Sequence, residues 1–129
     1  MIDCELLSAK VVPLFSRKIQ PLNEHAFYST LADTVGPSIV FFTKPGCSAC
    51  RAWKRLLNDL LQYRHDVTVY QVDAEQNMAL SHEYELFHLP ALFLFVNGEF
   101  HCELQAEARM PSLLDALNTA LAAPAEDAP

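Results

Sequence analysis

The chain has 129 residues, of which 51% are apolar and 19% are charged, a balance that suits one globular domain with a single hydrophobic core. Its formal net charge of −7 argues against nucleic acid or an anionic membrane surface as the main partner, so we expect neither. No apolar run approaches the length that spans a bilayer.

The N-terminal residues are the part of the sequence from which we predict the cellular compartment of the protein. It is acidic where a secretory signal needs basic residues, and the apolar stretch at residues 11–15 is too short for the core of such a signal. We therefore expect a cytoplasmic protein whose cysteines do not form permanent structural disulfides. Residues 1–16 are interpreted as an N-terminal extension, 17–122 as the folded domain and 123–129 as a disordered tail with nothing large to bury.

Strand and helix patterns alternate in the first half of the chain. Residues 17–22 can form a strand, and Asn23 is a good N-cap for a helix that ends near Gly36. Residues 38–43 form a largely apolar run flanked by prolines, which is typical of a central strand buried on both faces. Residues 47–63 have apolar positions three and four apart, which predicts a helix with one face in the core.

The second half continues this alternation and ends in a hairpin and a helix. Residues 67–72 have strand composition, and residues 77–87 have a helical pattern. Residues 91–96 and 99–104 flank an Asn-Gly pair, which is typical of a tight type I′ turn between antiparallel strands. A last helix is predicted over residues 111–121, because proline suits its first position. This order of elements indicates an α/β layer fold.

Two cysteines, Cys47 and Cys50, lie where a buried strand is followed by a helix N-terminus. The helix dipole and the unpaired N–H groups of the first turn favour negative charge, so Cys47 should ionise more easily than a free cysteine. Lys44 and Arg51 add positive potential nearby. Because a thiolate attacks disulfides and a second thiol one turn on can resolve the mixed disulfide, we assign Cys47 as the nucleophile and Cys50 as the partly buried resolving thiol.

Two other interpretations of these cysteines are weaker. A structural zinc site needs a second ligand pair at metal-ligand spacing, and Cys4, Cys102 and the five scattered histidines show none, so we expect no metal and no other cofactor. Simple packing of two small residues is disfavoured by their strand-turn-helix context. Cys102 is expected in a strand, as a small core residue or an edge thiol. Among the histidines only His88, two residues before Pro90, could approach the thiols, and a surface position is the favoured interpretation for it.

Several segments together resemble the thioredoxin family. They are residues 39–42, the Cys-Ser-Ala-Cys-Arg run at 47–51, the strand end at 72–75, and the proline loop and hairpin at 88–99. The similarity extends over about residues 17–122 and implies a thioredoxin-like fold, in which helices flank a central mixed sheet. Residues 43–47 also resemble glutaredoxins, but the long strand after Pro90 and the lack of a glycine pair behind it favour thioredoxins.

The resemblance implies a thiol–disulfide oxidoreductase that reduces or exchanges disulfides in partner proteins through Cys47 and Cys50, with recycling by a thioredoxin-reductase-type partner. It also implies that Pro90 is a cis-proline facing the dithiol, and that Leu89 and Gly46 contact a substrate chain that pairs as an added strand. From the residues alone, a proline that opens a strand need not be cis. A second hypothesis is a binding or scaffold module that docks a partner on the Pro90 face and has little redox activity.

Some positions depart from the family pattern. Gly46 replaces the usual tryptophan before the first cysteine, and Ser-Ala replaces Gly-Pro between the two cysteines. Phe41 occupies the place of a buried aspartate that assists proton transfer, and Val69 that of a lysine near this acid. Arg55 replaces a proline that kinks the helix, so a straighter helix is expected.

The phenylalanine has a chemical consequence. Because Phe41 cannot accept a proton and apolar surroundings disfavour a thiolate at Cys50, we expect slower resolution of the mixed disulfide than in a typical thioredoxin. The proton should leave by a water path, with His88 or Glu85 nearby.

Overall fold

The computed structural model describes residues 17–129 as a five-stranded sheet with four α-helices. The expected N-terminal extension, with Cys4, lies outside the described residues. None of the helices in this described part is long and apolar enough to cross a membrane. In chain order the elements are β1 (Gln20–Pro21), α1 (Phe27–Ala32), β2 (Pro37–Thr43), α2 (Ser48–Tyr63), β3 (Thr68–Asp73), α3 (Met78–Glu83), β4 (Ala91–Val96), β5 (Glu99–Leu104) and α4 (Met110–Ala122).

The sheet is mixed, with the strand order β1-β3-β2-β4-β5. β2 pairs parallel with β3 and antiparallel with β4, and β4 pairs antiparallel with β5 in the hairpin. Every residue of β2 from Ser38 to Thr43 is buried, as expected for the central strand. The predicted α/β fold with a central mixed sheet is therefore confirmed, and the cysteine segment leaves the sheet at its middle strand.

Alternate residues of the sheet fill two apolar cores, because successive side chains of a strand point to opposite faces. Ile39 and Phe41 of β2 pack on one face, with the buried sides of α2 and α4. Val40 and Phe42 pack on the other face, with α1 and α3. The uninterrupted apolar run of β2 is thus explained by helices on both faces of the sheet.

The first two elements are shorter than the sequence pattern indicates. β1 covers Gln20–Pro21 rather than residues 17–22, although the N–H of Leu22 still donates to the carbonyl of Gln71 in the neighbouring strand (2.9 Å). α1 begins at Phe27 rather than directly after Asn23. The Asn23 side chain does act as a cap, because its Oδ1 accepts hydrogen bonds from the N–H groups two and three residues later (2.9 and 3.1 Å), but it caps a turn that precedes the helix.

α3 also ends earlier than expected. It covers Met78–Glu83 rather than residues 77–87, because Glu85 adopts a φ of 53°, which an α-helix cannot include. Within this helix Leu80 is buried, whereas Met78 is exposed. The segment from Glu85 onward is therefore a loop that leads into β4.

The hairpin between β4 and β5 turns at the Asn-Gly pair, as predicted. Asn97 and Gly98 both have positive φ values, 52° and 85°. Asn97 also exchanges two hydrogen bonds with Gly36, since its N–H donates to the Gly36 carbonyl (3.0 Å) and its Oδ1 accepts from the Gly36 N–H (2.7 Å). These bonds join the turn to the loop before β2 and so support the register between β2 and β4.

The C-terminal tail runs beside β5. Residues 124–129 have neither helix nor strand and are exposed. The N–H of Glu126 donates to the carbonyl of His101 in β5 (2.7 Å), and the His101 ring contacts the carbonyl oxygens of Ala120 and Ala123 at the end of α4. The disorder expected of residues 123–129 stays a prediction.

Candidate active site

The cysteine pair lies at the N-terminus of α2. Cys47 is the N-cap residue and Cys50 lies in the first turn, with their Cα atoms 5.2 Å apart and their sulfur atoms joined in a disulfide. The backbone N–H of Cys50 donates to the Sγ atom of Cys47 (3.1 Å). The Cys47 sulfur thus satisfies one of the free N–H groups at the helix start, a place where negative charge is stabilised.

The two cysteines differ in exposure. Cys47 is half-buried, with exposed neighbours on both sides. Cys50 is only 5% exposed and belongs to an apolar cluster with Trp53. Cys47 is therefore the more accessible of the two cysteines, and the roles assigned to them stay a prediction.

The floor beneath the pair is apolar. Phe41 is fully buried in the same cluster as Cys50 and Trp53. Val69 of β3 is also buried in this cluster. Phe41 and Val69 therefore present only carbon atoms at the positions where the family pattern has an aspartate and a lysine.

A cavity of about 190 Å³ opens beside the pair, and its charged residues are all basic: Lys44, Arg51 and Lys54. Lys44 and Arg51 were expected near the dithiol from the sequence, whereas Lys54 was not. Lys54 follows Cys50 by four residues, so the two lie on the same side of α2, and this spacing was a signal that the sequence contained. The other lining residues are Thr43, Pro45, Gly46, Cys47, Cys50 and Gln71.

Gln71 of β3 adds a polar side chain to the lining of this cavity. Its Nε2 donates to the Oγ1 of Thr43 at the end of β2 (3.2 Å). Gln71 and Lys54 also line a neighbouring cavity of about 360 Å³, together with Asp73 and Asn77. Polar groups therefore extend from the dithiol along the ends of β2 and β3.

The two groups expected near a water path for the proton of Cys50 do not line the cavities beside it. Glu85 and His88 are exposed, and neither lines these two cavities. The polar side chains beside Cys50 are Gln71 and Lys54, because β3 is paired with β2 on this side of the sheet. The cavity beside Cys50 is therefore lined by polar residues other than the two that were expected.

The proline loop lies at the same end of the sheet as the dithiol. The Leu89–Pro90 peptide bond is cis, as the resemblance implied. Ala91 pairs with Phe42, so Pro90 lies level with the end of β2, from which the loop to the dithiol starts. Leu89 is half-buried against the apolar cluster beneath the dithiol, and Gly46 is exposed in the loop before it. Substrate contact by these residues stays a prediction.

Cys102 lies in β5, away from this site. It is 7% exposed in the core on the α2 and α4 face, so it is the small core residue expected. Burial, and to a lesser extent the charge of Glu126, raises the pKa of its thiol. Among residues 17–129, no group of three or more His, Cys, Asp or Glu side chains is placed to hold a metal ion.

Comparison with known proteins identifies the family. The model of the family Thioredoxin matches residues 18–119. The chain belongs to the thioredoxin family. Thioredoxin M2, chloroplastic, from Arabidopsis thaliana is 29% identical over 82 residues, which are 63% of this chain and 44% of that protein. Thioredoxin M-type, chloroplastic, from Spinacia oleracea is 21% identical over 84 residues, which are 64% of this chain and 46% of that protein.

This thioredoxin-family chain thus spans less than half the length of these two relatives. Among solved structures, thioredoxin f from spinach chloroplast (short form) has a TM-score of 0.71 at 20% identity, covering 81% of this chain and 94% of that one. At this identity the likeness establishes the fold. The family and the cysteine pair together support thiol–disulfide oxidoreductase activity in general.

The relatives also correct the expected location. Both sequence relatives are chloroplast proteins, so they point to a plastid rather than to the cytoplasm. The cytoplasmic expectation was wrong because it considered only a secretory signal, and that criterion does not distinguish the other compartments from one another.

Proposed function

We propose that this thioredoxin-family protein reduces or exchanges disulfides in other proteins, with Cys47 attacking and Cys50 resolving. The Cys47 thiolate attacks one sulfur of the partner's disulfide, so a mixed disulfide forms and one partner thiolate leaves. The Cys50 thiolate then attacks the Cys47 sulfur, which releases the second partner thiolate and closes the Cys47–Cys50 disulfide. Two electrons pass from the pair to the partner. The observation that carries this proposal is the cysteine pair at disulfide distance on a helix N-terminus.

The surroundings of Cys47 support its role as the nucleophile. The sulfur accepts a hydrogen bond from the first turn of α2, and this bond strengthens when the sulfur is negatively charged. Lys44 and Arg51 line the adjoining cavity and add positive potential. A nucleophile must also be reachable, and Cys47 is the more exposed cysteine of the pair.

The proposed substrates are disulfide-bearing proteins, and a thioredoxin-reductase-type protein is the proposed recycling partner. A substrate segment would lie across Gly46 and the Leu89–Pro90 loop, and pair with the loop backbone as an added strand. Phe87, which sequence reasoning did not single out, is 85% exposed two residues before Leu89. Its ring offers such a segment an apolar contact.

A second candidate function is a binding or scaffold module that uses the Pro90 face. The apolar floor formed by Phe41 and Val69 favours it, because the acid and lysine of typical thioredoxins are replaced there. In that case the dithiol would contribute little, and the protein would bind partners equally well with or without its cysteines.

The test is insulin reduction with dithiothreitol or with thioredoxin reductase and NADPH as the electron source. Cys47→Ser should lower the rate to that of the reductant alone. Cys50→Ser should form stable mixed disulfides with insulin chains, because the resolving thiol is missing. The buried Cys102→Ala is the matched control and should keep the wild-type rate.

The outcomes separate the two candidate functions. A wild-type rate equal to that of the reductant alone, with partner binding unchanged in Cys47→Ser, would favour the scaffold. Mixed disulfides that form through Cys102 or Cys4 instead of Cys47 would refute the assigned roles. Activity with thioredoxin reductase supports that recycling partner, and activity with dithiothreitol alone argues against it.

A further inference from the structure

Resolution of the mixed disulfide needs a thiolate at Cys50, and its surroundings work against that charge. Cys50 is 5% exposed and packs with Phe41 and Trp53. Removal from water disfavours the charged form of a thiol. The apolar floor holds no acceptor for the proton, so help with ionisation has to come from the cavity side of α2.

Lys54 is placed on that side. It lies four residues after Cys50, which is one helical turn, or about 6 Å along the axis. Residues at this spacing are neighbours on a helix surface. Both residues line the cavity beside the dithiol. Lys54 is exposed and its stem is flexible, so the ammonium can turn toward the sulfur.

We infer that the Lys54 ammonium stabilises the Cys50 thiolate and thereby speeds the step that resolves the mixed disulfide. This role rests on the proposed function. In the step, Cys50 gives its proton to water in the cavity, and Lys54 keeps all of its own protons. The Cys50 sulfur then bonds to the Cys47 sulfur, and the partner thiolate leaves with the electron pair of the broken bond.

Lys44 and Arg51 also line this cavity, but Arg51 follows Cys47 by four residues and Lys44 precedes it by three, so both are placed nearer to the nucleophile. Arg51 is adjacent to Cys50 in the chain, and consecutive side chains of a helix point about 100° apart. Lys44 lies in the loop before Cys47 and so is nearer to the nucleophile in the chain. Asp73 faces Lys54 from the neighbouring cavity, where its Oδ1 accepts hydrogen bonds from two N–H groups of the following turn (2.9 and 3.2 Å), and its charge opposes the effect in part.

The experiment separates attack from resolution. In a Cys4→Ser/Cys102→Ala background, the reduced protein is mixed with an aromatic disulfide that releases a coloured thiolate. Attack by Cys47 releases one thiolate in a phase whose rate rises with reagent concentration. Resolution by Cys50 releases a second in a phase whose rate does not depend on it. Both phases are followed by stopped-flow absorbance as a function of pH.

Lys54→Met should slow the second phase by about three- to tenfold near neutral pH and leave the first nearly unchanged. The sign follows from the charge: without the cation, Cys50 ionises at higher pH, so the rate profile of the second phase moves to higher pH. The deficit should vanish at alkaline pH, where Cys50 is ionised in both proteins. Lys54→Arg keeps the charge and should retain most of the rate.

Arg55→Met is the matched control, because Arg55 is a neighbouring exposed cation that does not line the cavity. It should leave both phases and their pH profiles unchanged. An unshifted second-phase profile in Lys54→Met, or the same shift in Arg55→Met, would overturn the inference. A parent protein that releases no second thiolate would instead refute the proposed function itself, so the two failures are distinguishable.

Discussion

Phe41 stands where the family pattern has a buried aspartate, and this departure concerns the chemistry of the dithiol most directly. It is fully buried, it shares an apolar cluster with Cys50, and it stands on the central strand below the helix start. A phenylalanine there contributes packing but cannot take up a proton. The side chain therefore packs in the core, and slow resolution by Cys50 is the consequence that we expect of it.

Phe41→Asp should increase the rate of the resolving step by roughly tenfold or more, because a carboxylate beneath Cys50 can accept its proton. The measurement is the rate of insulin reduction against pH. Phe41→Leu, which stays apolar, is the control and should show no increase.

Stability limits this experiment. Replacing a buried phenylalanine with a smaller polar residue costs roughly 3–5 kcal/mol, a large share of the 5–15 kcal/mol that is typical of a domain. Circular dichroism should therefore establish that Phe41→Asp is folded. A folded variant with an unchanged rate and pH profile would show that proton acceptance at this position is not limiting.

At the scale of elements, the hairpin turn is held against the end of α1. A Cβ atom on Gly98 would lie 2.6 Å from the carbonyl oxygen of Leu31 and 2.8 Å from the Cα of Ala32. Both are backbone atoms, so a side chain here could be accommodated only if the hairpin or the helix moved. The glycine is thus required by a tertiary contact as well as by its φ of 85°.

Gly98→Ala should lower the free energy of unfolding by roughly 2–4 kcal/mol, the sum of the left-handed backbone cost and the overpacking. Gly46→Ala is the matched control. Gly46 also has a positive φ, 75°, but no atom lies within 4 Å of a Cβ built on it, so its cost should be about 1 kcal/mol. Urea denaturation measures both. Equal losses would mean that the contact with α1 contributes nothing.

At the scale of the whole molecule, α1 and α3 are joined by a tyrosine network on the face opposite α2. The Tyr28 hydroxyl donates to the Glu83 carboxylate and lies 3.3 Å from the Tyr84 hydroxyl. Tyr28 is half-exposed; its partial burial raises the pKa of its hydroxyl, and the hydrogen bonds with Glu83 and Tyr84 raise it further. Burial also raises the pKa of Tyr84. Folding therefore holds these two hydroxyls in their protonated form.

This network predicts a loss of stability at alkaline pH. Unfolded tyrosine ionises at about pH 10, so the contribution of the two hydroxyls is complete below that pH and is lost as the pH rises above it. Tyr28→Phe should cost about 1 kcal/mol at neutral pH, through the lost hydrogen bond, and should flatten the decline above about pH 10.

Tyr63→Phe is the control for this change, because Tyr63 is a tyrosine that is 67% exposed at the end of α2. It should leave both the neutral-pH stability and the alkaline decline close to those of the wild type. Unfolding free energies from urea denaturation at several pH values provide the measurement. An alkaline decline of unchanged slope in Tyr28→Phe would contradict the role given to the network.

The sequence by itself determined the order and type of the elements, the two faces of β2, the hairpin turn and the position of the cysteine pair on a helix start. These features depend on residues that are close in the chain. Apolar residues recur every two positions in strands and every three to four in helices, and the Asn-Gly pair accepts positive φ. The cis bond before Pro90 was implied by the family resemblance, since the residues alone left it open.

Only the tertiary structure decided which side chains meet. The pairing of β2 with β3 brings Gln71 to the Cys50 cavity, and Glu85 and His88, closer to the proline loop in sequence, line neither cavity of the site. The length of α3 depended on Glu85, a residue with positive φ that an α-helix cannot include. A local sequence pattern cannot predict which side chains meet. Strand register and cavity lining depend on residues that are far apart in the chain and that come together only when the two cores pack.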